Sequence, residues 1–198
     1  MTTLIAITGG IGSGKSTFSK EVKKRGFRLF DSDEEVSKLY SNPDKKFINL
    51  LKKINLGETV IKGKIDKNKI SKIMFVNNSI KSKLENYIFK IIRRKRKSFI
   101  SDEKKNKEKF IFFDIPLLFE NSLQKDFDII ISIISIKKER FKRLKKSKNM
   151  SKKLFNNIIK NQTTDLIRRL NSNIIIINNN SFLEFKTKVN RKLDILTK

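Results

Sequence analysis

The chain of 198 residues has no cysteine and no histidine, two prolines, seven glycines and a single alanine, Ala6. Without cysteine there is no disulfide, thiol nucleophile or thiolate metal site. Without histidine the usual general base and the commonest zinc ligand are missing, so acid–base chemistry falls to carboxylates, lysine or tyrosine. No apolar run approaches the roughly 18 residues needed to span a bilayer. The N-terminus reads as a strand entering a loop, not as a basic-then-apolar signal peptide. The expectation is a soluble cytoplasmic protein with no membrane partner. With 37% hydrophobic residues, the chain can bury one good core and has room for a small appended lobe.

Negative charge is also scarce. Lys and Arg number 47 against 20 Asp and Glu, a formal net charge of +27, which ordinarily points to nucleic acid. The excess is spread along the chain, and it accompanies heavy use of asparagine and isoleucine at the expense of alanine, glycine and proline. That is the footprint of an A+T-rich coding sequence. The densest cluster, Arg93-Arg94-Lys95-Arg96-Lys97, continues the helix-like run through Ile88, Phe89, Ile91 and Ile92. It reads as a solvated or phosphate-facing helix end, with a dedicated nucleic-acid patch as the other reading. No specific nucleic-acid partner is expected, although salt-sensitive adhesion to polyanions is.

Leu4-Ile5-Ala6-Ile7-Thr8 leads into Gly9-Gly10-Ile11-Gly12-Ser13-Gly14-Lys15-Ser16-Thr17, which matches G-x-x-x-x-G-K-[ST] at Gly9, Gly14, Lys15 and Ser16. Glycines let the backbone N–H groups turn inward onto phosphates. Lys15 can reach the β- and γ-phosphates, and the Ser16 hydroxyl is placed for Mg²⁺. A helix opening at Ser16-Thr17-Phe18 puts its positive dipole end at the same point. Val22 falls on the Phe18 face, with Lys20, Glu21, Lys23 and Lys24 supplying polar positions.

Short, continuously apolar runs at residues 4–8, 27–30, 110–113, 127–134 and 174–177 read as strands covered on both faces. They alternate with helical segments, the pattern of a parallel sheet with crossover helices. Residues 34–109 are mainly helical. Broken by Pro43 and a turn across residues 56–63, they exceed what one crossover needs and predict an inserted helical lobe. The basic segment 137–161 and residues 182–196 complete the helical pattern.

Three acidic positions fall at the carboxyl ends of predicted strands, where open α/β sheets bind ligands. Asp31-Ser32-Asp33 places two carboxylates beside the phosphate loop, for an acceptor hydroxyl and for an orienting or metal-linked contact. The same residues also suit a helix start, with Asp31 or Ser32 as cap and Asp33, Glu34 and Glu35 along the dipole. Asp114, ending the run Phe110–Phe113, stands where a Walker-B acid is found. Glu120-Asn121, after Leu117-Leu118-Phe119, fits either a functional site or a plain surface turn.

Together, the loop, Asp31–Asp33 and the segment D-I-P-L-L-F-E-N at residues 114–121 resemble the dephospho-CoA kinase family. Gly57, Gly63-Lys64-Ile65-Asp66-Lys67 and Ile73-Met74-Phe75, then Gln162, Arg168 and Asn178, extend the likeness over nearly the whole chain. The resemblance implies an α/β P-loop NTPase fold of the nucleoside-monophosphate-kinase type: a five-stranded parallel sheet flanked by helices, with a helical CoA-side insertion and a basic lid. On this pattern residues 1–198 form one kinase domain. Its nucleotide core is about 1–36, 108–136 and 166–198, its acceptor lobe about 37–107 and its lid about 137–165.

The implied reaction is ATP-dependent phosphorylation of the ribose 3′-hydroxyl of dephospho-CoA, with Mg²⁺, by a monomer or weak homo-oligomer. Carried over by position, Ile11, Gly12, Ser13, Gly14, Lys15, Ser16, Thr17 and Asn178 would hold ATP. Ser16 and Asp114 would serve the metal, and Asp31, Asp33, Asp114, Leu117 and Glu120 the acceptor. Lys15, Asp33 and Arg140 would be catalytic, with Arg140 and Arg143 closing from the lid; a solvated amphipathic helix is the other reading of that arginine pair.

The chain departs from the family pattern in places. Phe89-Lys90 replaces a usual His-Pro pair, Lys67 an arginine, and Ser147 the second lid arginine. Asn180 replaces a glycine, and Ser172-Asn173 an Ala-Asp pair. The phosphate loop and both acidic motifs stay intact, so an active enzyme is expected. The alternatives are another P-loop small-molecule or nucleotide kinase, or an inactive basic nucleic-acid-binding protein. A regulatory GTPase is disfavoured because no N-K-x-D motif occurs.

Overall fold

A computed structural model describes residues 1–61 and 63–197; Lys62, within the expected turn at 56–63, and Lys198 lie outside the described residues. The chain forms two compact units, one of Met1–Asp31 with the residues from Asp102 onward, the other of Ser32–Ser101.

The first unit is built on five strands, β1 (Thr3–Gly9), β2 (Arg28–Asp31), β5 (Phe110–Asp114), β6 (Ile129–Ile134) and β7 (Ile174–Ile177). They lie in the order β2-β5-β1-β6-β7, and every pairing is parallel. The expected strands are all present. β6 starts two residues late, because residues 124–126 form a 3₁₀ turn and Phe127 packs its ring on Phe113 instead of joining the ladder. Helices α1 (Lys15–Lys24) and α9 (Phe182–Leu196) supply Phe18, Val22, Phe185, Val189 and Leu193 to a core with Ile5, Ile7, Phe112, Ile131, Ile133 and Ile176. Phe18 and Val22 share the buried face of α1, as their four-residue spacing requires.

The basic segment beyond β6 is two helices rather than one, α6 (Lys137–Lys148) and α7 (Lys152–Lys160). The break is Asn149, in the left-handed region at φ 47°, a conformation that asparagine tolerates. Ser151 then caps α7 through the Leu154 N–H. A short helix not expected from the sequence, α8 (Asp165–Leu170), follows, capped by Thr164.

The second unit holds α2 (Ser32–Ser41), α3 (Lys45–Lys53), α4 (Lys67–Val76) and the greater part of α5 (Asn78–Lys105). It also contains a two-stranded antiparallel hairpin, β3 (Val60–Ile61) with β4 (Lys64–Ile65). The strand pair falls at the expected turn of a stretch read as mainly helical, and the strands themselves were not expected; two residues per strand are too few to show a period-2 pattern. Asp44 and Asp66 cap α3 and α4. Phe47 is fully buried, stacked on Tyr87 with 5.7 Å between ring centroids and edge-on to Tyr40 at 5.5 Å.

Parallel strands bring their carboxyl ends to one edge of the sheet. In register, Asp31 and Ile7 both stand opposite Asp114, so the loop after β1 and two of the three acidic positions meet there.

Candidate active site

The glycine loop joins β1 to α1, and its carbonyls are gripped from the C-terminal third of the chain. Arg140 Nε donates to Ile11 O at 2.9 Å, Arg143 Nη1 to Gly12 O at 3.4 Å, and Asn178 Nδ2 to Ser13 O at 2.7 Å. The Ile11 N–H donates to Gln162 Oε1 at 3.0 Å. Lys15 Nζ, at the start of α1, donates to Gly9 O at 2.8 Å.

Gly10 and Gly14 leave room for the side chains that grip the loop. A β-carbon on Gly10 would overlap the Arg140 guanidinium, and one on Gly14, at φ +111°, would stand 2.6 Å from Asn178 Nδ2.

Arg140 and Arg143 are therefore not on a solvated helix face. Arg140 is 3% exposed, and burial pulls its guanidinium pKa down while Asp165 pulls it back up. Arg143 is lowered by burial as well, with Glu139 opposing. Both remain charged, since guanidinium pKa values lie far above neutrality. Arg143 also donates to Ser135 Oγ at 3.0 Å.

Asp114 is buried at the end of β5, and its Oδ2 accepts from Ser19 Oγ at 2.6 Å. Sequence reasoning missed Ser19. The available signal was its position three residues after Ser16, on the same helical face. Asp31 closes β2, and Ser32 opens α2 with Asp33, Glu34 and Glu35 in its first turn. Leu117 is exposed. Glu120 turns inward: its Oε1 accepts from the Thr163 N–H at 2.7 Å and from Arg168 Nη2 at 3.4 Å.

In the helical unit, Asp33 borders an open cleft of about 500 Å³ with Tyr40, Lys67, Met74 and Phe75 among its walls. Lys67 Nζ lies 5.5 Å from the Tyr40 ring centroid, within cation–π range. Burial raises the Tyr40 hydroxyl pKa, and Glu85 adds to the shift, so the phenol is a neutral donor at physiological pH.

A parallel sheet of this order, with a phosphate loop running from the central strand into a helix, defines the P-loop kinase class. The family model described as dephospho-CoA kinase matches residues 3–184. A dephospho-CoA kinase of Fusobacterium nucleatum is 34% identical over 191 residues, 95% of this chain and 95% of that one. The solved dephospho-CoA kinase from Campylobacter jejuni superposes with a TM-score of 0.74 at 25% identity, over 99% of this chain and 98% of that chain. A Thermus thermophilus structure shares the fold at TM-score 0.82 and 21% identity, over 100% of this chain and 98% of that one. The chain belongs to the dephospho-CoA kinase family. It is an enzyme, a kinase acting in coenzyme A biosynthesis. No helix among the described residues is long and apolar enough to cross a membrane.

Proposed function

We propose that the chain transfers the γ-phosphoryl group of ATP to the ribose 3′-hydroxyl of dephospho-CoA, giving CoA and ADP. The family match supports the acceptor, and the observation that supports the donor side is the grip of Arg140, Arg143 and Asn178 on the loop carbonyls. It holds the loop in one shape and leaves two guanidinium charges beside it. In this reading residues 11–17 cradle the phosphates, Lys15 contacts the β- and γ-phosphates, and Asn178 borders the adenine end. Asp31 and Leu117 face the acceptor.

Asp33 takes the proton from the 3′-hydroxyl as that oxygen bonds to the γ-phosphorus. The bond to the β–γ bridging oxygen breaks, and its electron pair leaves with ADP. Charge spreads over the equatorial oxygens in such transfers, where Lys15 and Arg140 stabilise it.

The Ser16 hydroxyl and the buried Asp114 carboxylate, already oriented by Ser19, are the hard oxygen donors that Mg²⁺ takes together with substrate phosphates. When bound, the ion neutralises phosphate charge. We place the enzyme in the cytoplasm as a monomer or weak homo-oligomer with no specific nucleic-acid partner.

The test is purified protein with ATP, Mg²⁺ and dephospho-CoA, scored for CoA, with shikimate and deoxyadenosine as comparison acceptors. CoA formation with little transfer to the others is expected. A folded protein that makes no CoA overturns the reading, and polyanion binding that survives Lys15→Ala without any ATP turnover favours the nucleic-acid alternative.

A further inference from the structure

A cluster of four charges reaches the loop at Arg140. Arg140 Nη1 is 3.8 Å from Asp165 Oδ2, Arg168 Nη1 is 3.1 Å from Asp165 Oδ1, and Arg168 Nη2 is 3.4 Å from Glu120 Oε1. Arg168 is 1% exposed and also donates to Thr163 O. Glu120 Oε2 and Arg168 Nε are buried without a hydrogen-bond partner among the described residues, so charge as much as hydrogen bonding holds the pair. The chain of contacts runs from the loop after β5 through α8 to the carbonyl of Ile11.

Two guanidiniums share Asp165, and Glu120 balances the second. Remove the Glu120 charge and two buried cations compete for one carboxylate. Arg168 is bonded to Asp165 Oδ1 at 3.1 Å and Arg140 lies 3.8 Å from Oδ2, so Arg140 is the cation left under-compensated, with its bond to Ile11 O holding it against the repulsion.

We propose that Arg168, with Glu120 as its counter-ion, is a positioning residue that fixes the Arg140 guanidinium on the phosphate loop. The glutamate of the D-I-P-L-L-F-E-N segment thus serves the donor side through charge balance and does not touch the acceptor. This rests on the reading of Arg140 as a donor-side group.

The test compares wild type with Glu120→Gln, Arg140→Lys and the double variant. Affinity for a non-hydrolysable ATP analogue is measured by calorimetry without acceptor, beside kcat, both KM values and melting curves. Glu120→Gln keeps the shape and the Thr163 contact. It should weaken analogue binding about tenfold, a usual size for residues coupled through contact, and leave KM for dephospho-CoA within about twofold. In the Arg140→Lys background it should add nothing.

A rise in KM for dephospho-CoA with intact analogue affinity overturns the proposal and makes Glu120 an acceptor contact. Additive losses overturn it as well. If Glu120→Gln does not fold, Asp165→Asn, on a partly exposed carboxylate, must weaken the analogue similarly; unchanged affinity there counts against the proposal. Wild-type affinity and turnover in Arg140→Lys instead sinks the donor-side reading of Arg140, and the relay with it.

Discussion

Arg143 and Asn178 are joined twice. Arg143 Nη2 donates to the Asn178 backbone carbonyl at 2.8 Å and to its Oδ1 at 3.2 Å. The amide oxygen is thereby committed, and Nδ2 is aimed at Ser13 O, 2.7 Å away. The buried amide works because one end accepts and the other donates.

Asn178→Asp keeps the volume and removes the donor, so a carboxylate oxygen faces the Ser13 carbonyl in a buried setting. We expect a loss of about 1–3 kcal/mol of stability and a rise in KM for ATP of about tenfold. Thermal melting and ATP titration of turnover check both, and an unchanged KM would show that Ser13 does not depend on this contact.

Gly10 does not have a positive φ, so its need for glycine comes from contact and not from backbone strain. Gly10→Ala should displace Arg140 and lower kcat by about tenfold to a hundredfold, as small misplacements of reacting groups do, with a modest effect on melting. Gly10→Ala combined with Arg140→Ala should be no slower than Arg140→Ala alone; a further loss would point to damage beyond Arg140.

Lys15→Ala should abolish transfer. Asp33→Asn should lower kcat by about a hundredfold or more, the range for a lost general base, while ATP binding by calorimetry stays near wild type. Full turnover in Asp33→Asn would remove its role as base.

Acid stability should depend on Glu103, which pairs with Arg28 at 2.8 Å. The hydrogen bond from Arg28 holds the Glu103 carboxyl below the usual range, overcoming burial that pushes it up, and Asn106 adds to the lowering. A depressed folded pKa stabilises the protein fully above the unfolded value of about 4.3. That contribution is lost as pH falls through the lower folded value. Urea midpoints from about pH 6 to pH 3 should therefore fall less steeply in Glu103→Gln than in wild type. Parallel acid limbs would place the acid sensitivity elsewhere.

The parts legible in the sequence were those with a short repeat or a local motif. Ile174–Ile177 and the helix at about residues 182–196 were readable, because a continuous apolar run and an amphipathic helix announce themselves locally. The hairpin at residues 60–65 and α8 were not, since each is too short to carry a period. The segment 137–148 carries Lys or Arg at eight of its twelve positions, and among so many cations only the four-residue spacing to Leu144 marked the Arg140 face as the buried one.

By itself the sequence determined the phosphate loop, the five strands, and the acidic residues Asp31 and Asp114 at strand ends, because these depend on neighbours along the chain and on the alternation of strand and helix. The tertiary structure alone decided which side chains hold the loop: Arg140 on Ile11 across 129 positions, and Asn178 on Ser13 and Gln162 on Ile11 across 165 and 151. It also turned Glu120 inward to Arg168. Contacts between such distant positions leave no periodic trace in one sequence; they exist because a parallel sheet brings the ends of β1, β5 and β6 side by side and packs the segments that follow onto a common edge.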